Sequence, residues 1–255
     1  SVTYGADGST RERTHSTVTR ILGETSLTPA PHLTCIGAPR EEILDIARGY
    51  WDAGVRHIVA LRGDAPAGQT TYVPHPGGFA YATDLVKGLT AIGDFDISVA
   101  AYPEVHPEAP NADFDLDNLA AKIDAGAHRA ITQFFFDTDA FLRFRDRCAA
   151  RGLDAQLVPG ILPITRFPQM LRFAKRCGTS VPDWLQHRFD GLDDDRIAFV
   201  RAIDRHRRQQ CESPRIWIVG KQREEALLLT ELRECRTGRA DRRLVALHAC
   251  GLNAL

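Results

Sequence analysis

Short aliphatic runs recur along the chain, separated by longer stretches in which apolar residues return every three or four positions. The runs predict strands at 1–6, 31–37, 57–64, 96–103, 129–137 and 156–163. Between them, amphipathic spacing predicts helices over 41–54, 115–126 and 137–152, each closed by a glycine. In the first of these, Ile43, Ile46, Ala47 and Tyr50 share a stripe, and Gly54 ends it. Repeated βα units with aliphatic strands predict a parallel sheet with right-handed crossovers. Six strand runs within about 165 residues suit a (β/α)8 barrel. A dinucleotide-binding fold would want a Gly-x-Gly-x-x-Gly turn, and neither that nor a phosphate-loop motif is present.

A barrel puts its chemistry at the C-terminal ends of its strands. The predicted ends carry Thr3 and Tyr4, His32, Arg62 and Asp64, Tyr102 and His106, Gln133, and the stretch ITRFPQ. Polar residues therefore stand where a site belongs. The run Ile58–Leu61 breaks at Arg62-Gly63-Asp64, where a glycine would allow close approach to a ligand and the charges could hold it. A solvated turn explains the same tripeptide equally well. His32 reads as a structural hydrogen bonder, Gln133 as a barrel hydrogen bond and Phe173 as helix core unless further evidence intervenes. Asp115, Asn118 and Lys122, at offsets 0, 3 and 7, fall on one helix face, which spacing alone leaves as a solvated polar face. The stretch 68–78, rich in Gly, Pro and Thr, reads as a mobile loop near the site.

Composition narrows the class. Hydrophobic residues are 44% and charged residues 25% of 255, ordinary for a globular chain. A net charge of −1 argues against a nucleic-acid or anionic-membrane partner. No apolar stretch approaches the roughly 20 residues that span a bilayer, and nothing reads as a signal peptide. Six scattered cysteines, at 35, 148, 177, 211, 235 and 250, show no metal-ligand spacing, so no metal is expected and a reducing cytoplasm is. Residues 196–255 carry 13 Lys and Arg against 7 Asp and Glu, and the first 195 carry 19 against 26. This contrast marks a barrel over 1–195 and a divergent basic tail over 196–255. The opening SVTYGA reads as a strand already under way, which suggests residues upstream.

The segments SVTYGA, RTHS, PHLTCI, HIVALRGD, YATDLV, DFDISVAAYPEVHPEAP, DNLAAKIDAGA, RAITQFFFD, FLRFRDRC, VPGILPITRFPQMLRFA and GLDDD, in that order, resemble the methylenetetrahydrofolate reductase family, its bacterial form in particular. The resemblance covers residues 1 to about 195. It implies a (β/α)8 barrel that binds FAD, takes electrons from NADH or NADPH, and reduces 5,10-methylenetetrahydrofolate to 5-methyltetrahydrofolate for one-carbon metabolism and methionine biosynthesis. It also implies a homo-oligomer.

By the same resemblance, the cofactor site includes Thr3, Tyr4, Ala6, His32, Arg62, Gly63, Asp64, Tyr81, Tyr102, His106, Ala109, Asp115, Asn118 and Lys122. Asp64 is implied beside both flavin and folate, and is the one catalytic residue carried over. Gln133, Gln169 and Phe173 match folate contacts, with Phe173 stacking on an aromatic ring of folate or NADH. Ala121 departs from the family, which often has arginine there. The family's catalytic glutamate lies on a first strand to which nothing in this sequence corresponds, so the barrel is expected to be incomplete at its first βα unit. The tail does not resemble the family's last helix and eighth strand, as if the reading frame had changed. An inactive fragment that binds FAD or folate is the alternative function.

Overall fold

The computed structural model describes residues 1–3, 11–65, 72–162, 164 and 166–192. The predicted tail, 196–255, lies outside these residues, as do Tyr4 and Ala6. Two compact units divide the described chain, one running from Ser1 to Val99 and the other beginning at Ala100.

The first unit holds α1 (Arg11–Glu24), β1 (His32–Thr34), α2 (Arg40–Asp52), β2 (His57–Leu61), α3 (Ala82–Thr90) and most of β3 (Asp96–Ala101). Strands pair in parallel in chain order, with His32 opposite Val59, Thr34 opposite Leu61, and Val59 opposite Ser98. The predicted first strand is reduced, among the described residues, to a parallel bridge between Val2 and Pro31. Helix α2 forms where the stripe predicted it, burying Ile43, Ala47 and Tyr50. Helix α1, which the periodicity did not announce, is held by Val18 packed with Tyr50 and Val55.

Side chains alternate across a strand, so each sheet face can be read separately. One face of this unit presents Leu33, Ile58, Ala60, Ile97 and Val99, all fully buried. The other presents His32, Thr34, His57, Val59, Leu61, Asp96 and Ser98. A buried parallel sheet is usually aliphatic on both faces. Here one face is polar at five of seven positions, and that face also carries His32.

The second unit continues with α4 (Ala112–Asp124), β4 (Arg129–Phe134), α5 (Thr138–Ala150), β5 (Gln156–Gly160), α6 (Phe167–Cys177) and α7 (Asp183–Phe189). Strands β4 and β5 are parallel, with Arg129 opposite Gln156 and a register shift before Phe134. The shift lets Gly160 approach its neighbour so closely that an added Cβ would lie 2.2 Å from the Thr132 carbonyl oxygen. Helix α6 buries Phe167, Met170, Phe173 and Ala174. Phe167 stacks on Phe189 of α7 at 5.0 Å. The α/β class and the succession of parallel βα repeats match the expected incomplete (β/α)8 barrel.

Candidate active site

In the first unit the ends of β1 and β2 bring Thr34 beside Gly63, which Arg62 and Asp64 flank in the chain, while His32 opens β1 two residues earlier on the same face. His32 is buried, and its Nε2 lies 3.0 Å from the Ser1 hydroxyl. Nearby, the Thr14 hydroxyl donates to the Thr3 carbonyl at 2.7 Å, which anchors Thr3 through its main chain. Strand β2 stops three residues earlier than expected, because Gly63 turns at φ +90°. A side chain there would suffer twice, from the left-handed backbone and from Ile36, whose Cγ2 would be 2.9 Å from the added Cβ. Thus the glycine is required by the packing of the strand ends themselves, in addition to any approach by a ligand.

Arg62 is held by its own turn. Its Nε donates to the Gly63 carbonyl at 3.2 Å and its guanidinium sits 4.6 Å from the centre of the Tyr72 ring. Beyond the turn, Asp64 is exposed. Cys35 N–H donates to the Leu61 and Arg62 carbonyls, tying β1's end to β2's. Burial pushes the Cys35 thiol up to about 12, with Asp84 adding to the rise and Arg62 opposing it. Tyr81 caps α3 through its main-chain N–H, which donates to Asp84 at 3.2 Å, and its side chain is 61% exposed.

The second unit builds a tighter cluster on the loop between β3 and α4. Tyr102 meets His106 edge to face at 4.6 Å. The His106 main chain donates to the Asp115 carboxylate at 2.6 Å, and its Nδ1 accepts from Glu108 N–H at 3.0 Å. Ala109 closes the turn by donating to the His106 carbonyl at 2.8 Å. Two residues at offset 7, Asp115 and Lys122, are partly buried, whereas Asn118 between them is exposed. The Lys122 ammonium donates to the Ala100 carbonyl at 2.6 Å. Burial lowers its pKa to about 8, and Asp115 offsets part of that fall.

The predicted folate contacts diverge in setting. Gln133 is partly buried, and its Oε1 accepts from Phe134 N–H at 3.1 Å. Gln169 is partly buried in the first turn of α6. Phe173 is 6% exposed and stacks on Phe134 at 5.2 Å, so its ring already has an aromatic partner in the core. A hollow of about 420 Å³ between α6 and α7, lined by Phe167, Leu171, Gln186 and Phe189, contains none of the predicted site residues.

Two residues were given no part in the site by the sequence reading. Glu104 accepts from the Ser180 N–H at 3.0 Å and from its hydroxyl, fastening the β3–α4 loop to the turn after α6. Thr34 lies two positions beyond His32 on the same face, and that i, i+2 relation was the available signal.

The family profile described as methylenetetrahydrofolate reductase matches residues 1–211. The chain belongs to that family. Over 197 residues it is 57% identical to the 5,10-methylenetetrahydrofolate reductase of Pectobacterium carotovorum, covering 76% of this chain and 63% of the relative. With the protein of the same name from Escherichia coli (strain K12) it is 56% identical over 195 residues, covering 76% and 64%. Methylenetetrahydrofolate reductase (NADH) 1 of Arabidopsis thaliana is 38% identical over 216 residues, covering 80% of this chain and 36% of that one. The chain therefore spans less than two thirds of the bacterial reductases just named.

Proposed function

We propose that this chain binds FAD and reduces 5,10-methylenetetrahydrofolate to 5-methyltetrahydrofolate with electrons from NADH or NADPH, as a cytoplasmic homo-oligomer serving methionine biosynthesis. Lys122 carries the reading. A buried ammonium with a single carbonyl acceptor among the described residues keeps two donors free, and its lowered pKa records the cost. A diphosphate is an anion of the kind that would offset that cost. The donor set fits FAD on this observation, and the 56–57% identity to named reductases supports the rest.

Bound FAD supplies hydride relay from the nicotinamide to the methylene carbon of the folate. The chain's residues do the holding and the electrostatics. In the second unit Lys122, set by the Ala100 carbonyl, and Asn118 bind the diphosphate and ribose, while Asp115 fixes the His106 loop. In the first unit His32, Arg62, Gly63 and Thr3 would hold the ring system, and the resemblance adds Tyr4 and Ala6, which lie outside the described residues. Asp64 contributes a negative charge that favours a developing iminium cation on the folate. Gln133 and Gln169 offer amide donors and acceptors to the pterin. The NADH in the Arabidopsis relative's name supports NADH as the first co-substrate to try.

The test is to purify the chain, titrate it with FAD, and assay NADH–quinone and methylenetetrahydrofolate reduction separately. Retained flavin with turnover in both assays is expected. Failure to bind FAD overturns the proposal, and quinone reduction without folate reduction removes its folate half. Asp64→Asn should slow folate reduction by roughly 100-fold, a far larger change than its effect on FAD content. Equal loss in both assays would assign Asp64 a structural part instead.

A further inference from the structure

We infer that Thr34 is a further cofactor-contacting residue, whose hydroxyl hydrogen-bonds the polar edge of the isoalloxazine ring; this rests on the FAD site proposed above. Thr34 is 5% exposed, and among the described residues its Oγ1 has no hydrogen-bond partner. The other buried hydroxyls are provided for. Thr14 donates to the Thr3 carbonyl, Thr132 accepts from Gly160 N–H, and Thr179 donates to the Phe134 carbonyl. Ser98 is likewise engaged. Among the described residues one other buried side-chain polar atom lacks a hydrogen bond, Nδ1 of His57, and it stands 2.9 Å from the Asp96 carboxylate.

A buried hydroxyl left unpaired destabilises the chain that carries it, and valine would fill the same space without that cost. Its place in the fold explains why threonine stands there. Thr34 is the last residue of β1, at the strand end where a barrel keeps its chemistry. It shares a face with His32 and abuts the Gly63 turn, where an added Cβ would lie 3.2 Å from Thr34 Cβ. Thr34 therefore adjoins Gly63, the middle residue of the Arg62-Gly63-Asp64 turn assigned to FAD. An isoalloxazine offers carbonyl and ring-nitrogen acceptors along one edge, and the hydroxyl can donate to them.

The experiment compares wild type, Thr34→Val and Thr34→Ser as full chains stripped of flavin. Each is titrated with FAD and with riboflavin, which has the ring and lacks the diphosphate, and each is melted without ligand. Thr34→Val should weaken both flavins about tenfold while melting at or above the wild-type temperature, and Thr34→Ser should stay within about twofold. Unchanged riboflavin affinity in Thr34→Val overturns the inference, as does weakening confined to FAD. If the valine variant fails to fold, Thr34→Ala replaces it, and equal affinities for Ala and Ser overturn the ring contact. Wild type that binds no flavin sinks this inference and the proposed function together, whereas flavin binding indifferent to Thr34 sinks this one alone.

Discussion

Thr34 in the first unit and Thr132 in the second are both buried near the end of a parallel strand, at 5% and 3% exposure. Their hydroxyls meet different fates. The Thr132 hydroxyl accepts from Gly160 N–H at 2.9 Å, repairing the ladder where β4 and β5 shift register. The Thr34 hydroxyl finds nothing comparable among the described residues. The same residue type in the same kind of strand thus serves the fold in one unit and waits for a partner in the other. Burial alone does not separate structure from function; what separates them is whether the polar atom is satisfied by the chain.

That contrast can be broken at several strengths. The largest effect is expected at Gly160, where alanine would drive its Cβ to 2.2 Å from the Thr132 carbonyl oxygen. Chemical denaturation should show a loss of roughly 4 kcal/mol or more, and a smaller loss would mean that the β4–β5 approach is not fixed.

Next comes Lys122, whose ammonium finds one carbonyl acceptor among the described residues. Its folded pKa of about 8 lies below the ordinary value of 10.5, so the unfolded chain binds more protons between those limits. Stability of the ligand-free protein should therefore rise with pH across that window, by on the order of 3 kcal/mol from this group. Cys35 acts in the opposite sense above pH 9, since its folded pKa is raised. Urea unfolding of wild type beside Lys122→Met at pH 7.5 and pH 10 isolates the lysine, and identical pH slopes would sink the assignment.

Thr132→Val should cost about 1–3 kcal/mol, because Gly160 N–H is left buried and unpaired. The smallest effect belongs to Thr34→Val, within about 0.5 kcal/mol of wild type or slightly stabilising when no ligand is present. If the two threonines respond alike in thermal melts, the comparison fails.

Much of this was legible in advance. Aliphatic runs located all of β1 through β5, and the stripe of α2 fell at Ile43, Ala47 and Tyr50 as spacing required. Strand ends were overextended for a physical reason: HIVALRGD continues as apolar and polar letters, whereas the chain leaves the sheet at Gly63 by a backbone angle that letters do not display. Likewise, RAITQFFFD runs on through aromatic residues that pack after the strand has ended at Phe134. On the helix face that spacing gave to Asp115, Asn118 and Lys122, Asp115 and Lys122 are partly buried and Asn118 is exposed, a difference in burial that spacing alone does not display. Phe173 shows the converse. Its letter is equally suited to stacking on a ligand or on Phe134, and only packing decides what it touches. Thr34 was hidden because an unsatisfied hydroxyl is a property of surroundings, not of residue type.

Cys35 carries a practical corollary. With its S–H donating a hydrogen bond to the Leu61 carbonyl at 3.4 Å and its pKa raised to about 12, this thiol stays in its unreactive form at any pH used to handle the protein. Maleimide or iodoacetamide added to the native chain will pass it by. A loss of ligand affinity after such labelling would therefore trace to a cysteine elsewhere, leaving the β1 terminus chemically intact as an internal reference.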